Sequence, residues 1–257
     1  YLSADGGSIA TRTGRPFFNA DLTATLLERV RAAAENAGLF AELDTDWLLL
    51  DAELLPWSAK AGALLREHYA PVGAAALMAL PPAVRALTEA SGRGLDVAAL
   101  LRRTRARLDN GRAYEAAWQR YVWPTSGLDG VQLAVFQVLG AAGQSFATRD
   151  HDWHLRLADR LVAADPGLFR STRRQHVHTD DPTSLAAGVQ WWEELTGAGG
   201  EGMVVKPLNN LSRTPKGALV QPGLKVRGRE YLRIIYGPDY TEPENLTRLR
   251  DRNLGRK

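Results

Sequence analysis

Apolar positions change period several times along the chain, and each change marks a predicted element. Ser8–Thr13 mixes β-branched and polar residues up to Gly14, and Pro16-Phe17-Phe18 follows, which predicts a hairpin. From Asp21, the predicted N-cap, Leu22, Leu26, Leu27 and Val30 fall on one helical face, with Gly38 as the stop. Trp47–Leu55 is a short apolar run interrupted by Asp51 and Glu53, read as a buried strand that Pro56 ends. Between Ala59 and Tyr121, Ala, Leu and Arg dominate at helical spacing (Val97, Leu100, Leu101, Leu108). Pro81-Pro82 and Gly92-Arg93-Gly94 punctuate this stretch, which predicts three or four helices. Val131–Leu139 predicts a second long strand, followed by another helical stretch. A helix over Ser184–Leu195, capped by Thr183 or Ser184, turns Val189 and Trp192 to the core, and Gly197–Gly200 breaks it. Met203–Lys206 and Tyr231–Gly237 predict two more strands. Strand-rich halves around a helical insertion over residues 59–125 make the class α+β.

Composition narrows this picture. A chain of 257 residues that is 45% hydrophobic can bury a sizeable core, as one large domain or a core with an insertion. No unbroken apolar run approaches the roughly 18–20 residues of a membrane span, and the opening residues lack the pattern of a signal peptide. The expectation is a cytoplasmic protein without a membrane partner. With no cysteine, a disulfide scaffold, a thiol nucleophile and thiolate metal sites are excluded. Charge is uneven: residues 201–257 hold twelve Lys/Arg against six Asp/Glu, whereas residues 1–200 hold twenty against twenty-three. A basic segment of this kind suits a polyanion, or a solvated surface.

Several familiar motifs fail on context. Gly197-Ala198-Gly199-Gly200-Glu201-Gly202 spells G-x-G-x-x-G, but a helix precedes it and a strand follows, the reverse of a dinucleotide site. There is no P-loop and no G-x-S-x-G. His176-Val177-His178 with Asp180 and Asp181, and His151-Asp152-Trp153-His154, lack the further cluster a metal site needs, and are read as structural.

Three separated pieces carry more. Leu50-Asp51-Ala52-Glu53-Leu54 presents carboxylates on a strand, Glu201-Gly202-Met203-Val204-Val205-Lys206-Pro207 an acid and a lysine, and Leu224-Lys225-Val226-Arg227 two cations. Carboxylates bind Mg²⁺ or ribose hydroxyls, while Lys and Arg neutralise phosphate, so the set suits a nucleoside triphosphate and its metal.

In this order the pieces resemble motifs III, IV and V of the covalent nucleotidyltransferases, the DNA ligases, RNA ligases and mRNA capping enzymes. The blocks Leu50–Lys60 and Lys225–Tyr240 are similar to the ligase (adenylyltransferase) domain of bacterial polynucleotide kinase-phosphatase, and the resemblance spans the chain. It implies a nucleotidyltransferase core of mostly antiparallel sheets with flanking helices. It also implies ATP and Mg²⁺ or Mn²⁺, with RNA as substrate. Glu53 would contact the ribose or metal, and Glu201 would help hold the divalent ion. Phe136 and Val204 would stack on the two adenine faces, with Lys206 also at the nucleotide. Lys225 and Arg227 would grip the α-phosphate, and Arg12, in Thr11-Arg12-Thr13-Gly14, would touch nucleic-acid phosphate. Trp57, Ser58 and Lys60 receive no role.

The family's nucleophilic Lys, in K-x-x-G before the T-R-x-G strand, has no counterpart, because the first lysine is Lys60. The expectation is therefore a partial domain over residues 1–257, inactive and poorly soluble alone. The nucleophile would lie upstream, and Asn253–Lys257 would lead into a further module. The resemblance also implies kinase and phosphatase domains upstream, RNA with 5′-phosphate and 3′-hydroxyl ends, and an RNA 2′-O-methyltransferase partner. The alternatives are another ligase or capping-type enzyme, or a non-catalytic nucleic-acid-binding module.

Overall fold

The computed structural model describes residues 1–3 and 6–252. In chain order the elements are β1 (Leu2–Ser3), β2 (Gly6–Gly7), α1 (Ala20–Asn36), α2 (Leu39–Glu42), β3 (Trp47–Leu55) and α3 (Trp57–Leu64). A π-helical turn (Leu65–Tyr69) leads into α4 (Ala70–Gly92), α5 (Ala98–Gln119), β4 (Gln132–Ala141), β5 (Gln144–Ser145) and α6 (His151–Ala164). Then come α7 (Pro182–Gly197), β6 (Gly202–Val205), β7 (Leu224–Arg227), α8 (Arg229–Tyr236), a 3₁₀ turn (Pro238–Thr241) and α9 (Pro243–Arg250). The class is α+β, antiparallel sheets with flanking helices.

One compact unit comprises Tyr1–Lys60, Trp123–His176 and Val204–Leu224. Its antiparallel sheet runs β2-β1-β3-β4-β5 around the long β3–β4 pair. Alternation along β3 sends Leu48 inward, where it meets Val135 and Val138 of β4 in the core. Helices α1 and α6 cover that face with Leu26, Leu27, Val30, Leu157 and Leu161, each fully buried aliphatic side chain contributing about 1.5–3 kcal/mol. Both helices are capped: Asn19 Oδ1 accepts from Leu22 N at 2.9 Å, and Asp150 Oδ1 from Trp153 N at 2.7 Å. Asp165, at the end of α6, accepts two bonds from Arg29 of α1 at 2.6 and 2.9 Å, and that guanidinium holds its carboxyl below the usual range.

The other unit comprises Ala61–Val122, Val177–Met203 and Lys225–Lys257. Helices α4 and α5 approach closely at small residues: a Cβ on Gly111 would lie 3.0 Å from that of Ala76. Helix α8 buries Tyr231 and Ile234, and also Arg233, only 5% exposed. The Arg233 guanidinium donates to Asn110 Oδ1 (3.0 Å), Pro238 O (2.6 Å), Thr241 Oγ1 (3.2 Å) and Glu230 Oε2 (2.7 Å), which satisfies its buried donors. Strands β6 and β7 form a two-stranded sheet, and the division between the units passes through both.

Several expectations need correction. The predicted hairpin at 8–18 is a turn closed by one bridge, Ala10 to Pro16, and Thr11–Gly14 lies in that turn rather than on a strand. Helix α1 is capped by Asn19, not Asp21, and α7 by Asp181, not Thr183 or Ser184. Val189 is 56% exposed and no α7 residue is buried, so Val189 and Trp192 do not face a core. Tyr231–Gly237 is helical, because Tyr231 and Ile234, three apart, bury on one face; the strand of that region is β7. Pro81 and Pro82 lie inside α4 and do not end it. His176 and His178 are on irregular chain, not a strand edge. Finally, the helical run Trp57–Gly92, kinked at Ala61, is long and apolar enough, by length and composition, to cross a membrane. Its Ala, Gly and Pro residues hid that length from a search for unbroken large apolar residues. Asn253–Lys257 lies outside the described residues.

Candidate nucleotide and nucleic-acid site

In the first unit, the outer face of β3 carries the chemistry. Asp51 and Glu53, two apart, share the face opposite Leu48 and Leu54. Strand β4 is bulged here: Ala52 pairs with Val135 and Asp51 with Gln137, which leaves Phe136 as the extra residue. Such bulges redirect a side chain, and Phe136 meets the ammonium of Lys206, 5.7 Å from its ring centroid. Arg12 reaches from the 11–14 turn to Asp51 at 3.5 Å. Burial lowers the Lys206 pKa and Arg12 lowers it further, while Asp51 opposes both. Arg12, Asp51, Phe136 and Lys206 are therefore brought together. Asp51 is partly buried, but Glu53 is 53% exposed, so the acids do not lie on a fully buried strand as the sequence suggested. Glu53 is ion-paired with Lys60 of α3, and Val204 on β6 is half exposed.

A polar network supports this face. Gln137 Nε2 donates to Asn210 Oδ1 at 2.7 Å, and Asn210 Nδ2 donates to Ala147 O at 3.2 Å. The wholly buried His154 accepts at Nδ1 from Val138 N at 3.2 Å. With a bridge between Asp150 and Asn209, these contacts fasten the segment after Lys206 to β4 and α6. Burial holds His154 below the usual imidazole range and pushes His151 down to about 4, helped by Lys206 and His154. Both imidazoles are neutral at pH 7.

In the second unit, Glu201 follows the glycine break after α7, and Gly228 N donates to its carbonyl at 2.8 Å. Its carboxylate is ion-paired with Arg227 of β7, whose guanidinium also lies 4.7 Å from the Tyr231 ring centroid. Trp192 Nε1 donates to Val226 O at 3.2 Å. Gly202 permits this geometry: its φ is +116°, and a Cβ there would run into the Val226 carbonyl. Lys225 is exposed and makes no ion pair among the described residues. The structure thus joins Glu201 with Arg227, as it joins Arg12, Asp51, Phe136 and Lys206.

Asp51, Lys60, Asn210 and His154 were not among the predicted site residues. Asp51 had a signal, its place two residues before Glu53. The partners of Asn210 and His154 lie 73 and 16 residues away, and Lys60, though seven residues from Glu53, is on the helix that follows the strand, so no single period links the two.

Among the described residues, no group of three His, Asp or Glu is placed to hold a metal ion by itself. A Mg²⁺ that arrives on a nucleotide needs only one or two carboxylates beside phosphate and water. The partly exposed carboxylates of Asp51 and Glu53 in the first unit, and of Glu201 in the second, are each of the type such an ion takes.

Comparison with known proteins gives one family. The model of the PNKP adenylyltransferase domain, ligase domain, matches residues 2–257. A search of curated proteins finds no match. Among solved structures, a chain of the Pnkp1/Rnl/Hen1 complex superposes with a TM-score of 0.63 at 15% identity, a likeness of fold. The match covers 95% of this chain and 66% of that one, just under two thirds of its length.

Proposed function

The chain belongs to the PNKP adenylyltransferase (ligase) domain family, and from that premise we propose that it is the core with which the intact protein activates ATP for RNA end sealing through a lysyl-AMP intermediate. A lysine amine displaces pyrophosphate from the α-phosphorus, AMP passes to an RNA 5′-phosphate, and the neighbouring 3′-hydroxyl then seals the strand. Phe136 and Val204 hold the adenine, Glu53 the ribose, and Lys206, Lys225 and Arg227 the phosphates; Arg12 meets RNA phosphate. Glu53 and Glu201 would hold Mg²⁺ or Mn²⁺ carried by the nucleotide, and the ion supplies charge neutralisation at the leaving pyrophosphate. None of the five lysines of the chain is the nucleophile in this reading, since Lys206 and Lys225 act on phosphate oxygens.

The observation that carries the reading is the outer face of β3 and β4. There a bulge turns the Phe136 ring to the Lys206 ammonium, on the strand pair that also carries Asp51 and Glu53, and an aromatic face beside cations and carboxylates supports a nucleotide-binding reading. Kinase and phosphatase domains on the same polypeptide, and an RNA 2′-O-methyltransferase partner, belong to the proposal; its support is the fold shared with a chain of the Pnkp1/Rnl/Hen1 complex. Lys225→Ala in the full-length protein tests the reading. An exposed charge is worth within about 0.5 kcal/mol to stability, whereas a transition-state contact is worth about 3 kcal/mol. A folded Lys225→Ala protein should form lysyl-AMP at least a hundredfold more slowly. Formation at the wild-type rate refutes the assignment.

A further inference from the structure

Trp57-Ser58-Ala59-Lys60 lies in one of the two most distinctive blocks of the sequence, and the roles above leave it unused. We propose that Lys60 is a positioning residue that orients Glu53 toward the ribose hydroxyls of the nucleotide, an inference that rests on the adenylyltransferase reading.

Glu53 is a flexible acid on the exposed face of β3, with 53% of its side chain accessible. Left alone it would sample many rotamers, and a ligand would have to order it on binding. Lys60 Nζ is bonded to Glu53 Oε1. Only 23% of the Lys60 side chain is accessible against 53% for Glu53, so the lysine is the less solvent-exposed member of the pair. The start of α3 is anchored independently, because Ser58 Oγ donates to Trp123 O at 2.9 Å. The neighbouring acid, Asp51, is engaged by Arg12 and leaves Lys60 to Glu53. A pair this exposed contributes little to stability, so its effect lies in orientation. A carboxylate has acceptor sites on both oxygens, and Lys60 takes Oε1, which leaves Oε2 for a hydroxyl donor.

The test is equilibrium binding of ATP, 2′-deoxyATP and 3′-deoxyATP, with Mg²⁺, to the full-length protein. Wild type should prefer ATP over at least one deoxy analogue by about tenfold or more, the effect of a hydrogen bond to a charged acceptor. Lys60→Met, with an unchanged melting temperature, should weaken ATP binding and reduce that preference to about twofold, leaving affinity for the analogue unchanged. Lys60→Arg should restore the preference, and Glu53→Gln should abolish it, with a general loss of affinity on top because Glu53 also serves the nucleotide's metal. Equal weakening of ATP and both analogues by Lys60→Met would mean that the lysine touches phosphate, and would overturn the proposal. So would an unchanged preference in Lys60→Met when Glu53→Gln abolishes it, a result that leaves the parent reading intact. Failure of the wild type to bind ATP at all would instead remove that reading, and the inference with it.

Discussion

Replacing Gly202 by alanine should cost more than any other single methyl group added to the site. The backbone there has φ +116°, outside even the left-handed region that L residues sometimes adopt. Holding a non-glycine residue in such a conformation costs about 1–3 kcal/mol before any clash. The added Cβ would also strike the Val226 carbonyl and lie 2.8 Å from Arg227 Cα and 3.0 Å from Gly228 N. These are backbone atoms, so relief requires β7 to move away from Gly202, with loss of ladder bonds at about 1 kcal/mol each. The expected total is about 3–5 kcal/mol. Gly217→Ala is the control: its φ is +81° with nothing within 4 Å of the new Cβ, so only the conformational part remains. Hydrogen exchange followed by mass spectrometry reads the effect locally. Gly202→Ala should speed exchange in Gly202–Val205 and Leu224–Arg227 by at least a hundredfold, and should break the Glu201–Arg227 pair and lysyl-AMP formation with it. Wild-type protection in both strands would refute the reasoning.

Three further outcomes are expected. His151 is held neutral in the fold, at about 4 against 6.5 when unfolded, so the folded state binds fewer protons. The stability this confers, up to about 3 kcal/mol, is present above pH 6.5 and lost as pH falls through 4. Denaturant midpoints across that window should fall for wild type and flatten for His151→Phe; an unchanged slope in the variant rejects the account. Intact mass spectrometry of this 257-residue chain with ATP and Mg²⁺ or Mn²⁺ should show no AMP adduct, and an AMP-sized increase on any lysine would relocate the nucleophile, with Lys225 first to re-examine. RNA binding should weaken steeply with salt as phosphate contacts release counterions. Charge reversal at Arg12, whose side chain is 81% exposed, together with Arg213, should lower that slope, and an unchanged slope counts against Arg12.

The elements most legible in the sequence were those whose pattern and burial agree. Leu26, Leu27 and Val30 are legible as a buried helical stripe because they fall on one face. Trp47–Leu55 is legible as a strand to the residue, from an apolar run that Pro56 ends, but the reading of it as buried misses the face on which Asp51 and Glu53 reach solvent. Tyr231–Gly237 misleads because aromatic and β-branched residues favour strands locally, while of the apolar residues in the eight-residue helix only Tyr231 and Ile234 are buried. What decides the matter is the buried Arg233, whose partners include Asn110, 123 residues away. The paired prolines misled in the opposite direction, because a local rule for breaking helices ignores packing. Within the site, Glu53, Phe136, Glu201 and Lys206 stand in local motifs. The hold of Lys60 on Glu53 and of Asn210 on Gln137 arises only on folding.

The run Trp57–Gly92 has a kinetic consequence. Much of its apolar surface is exposed, Met78 at 77% among it, and its close neighbour is α5, against which Gly73 and Ala76 are set. During synthesis the run is complete at Gly92, but α5 ends only at Gln119. At about 5–20 residues per second, the nascent chain therefore carries an uncovered apolar helix for roughly one to five seconds. Throughout that interval it is a segment long and apolar enough, by length and composition, to cross a membrane. The short 93–97 connection lets α5 fold back onto α4 once α5 has emerged, which limits the exposure to that interval.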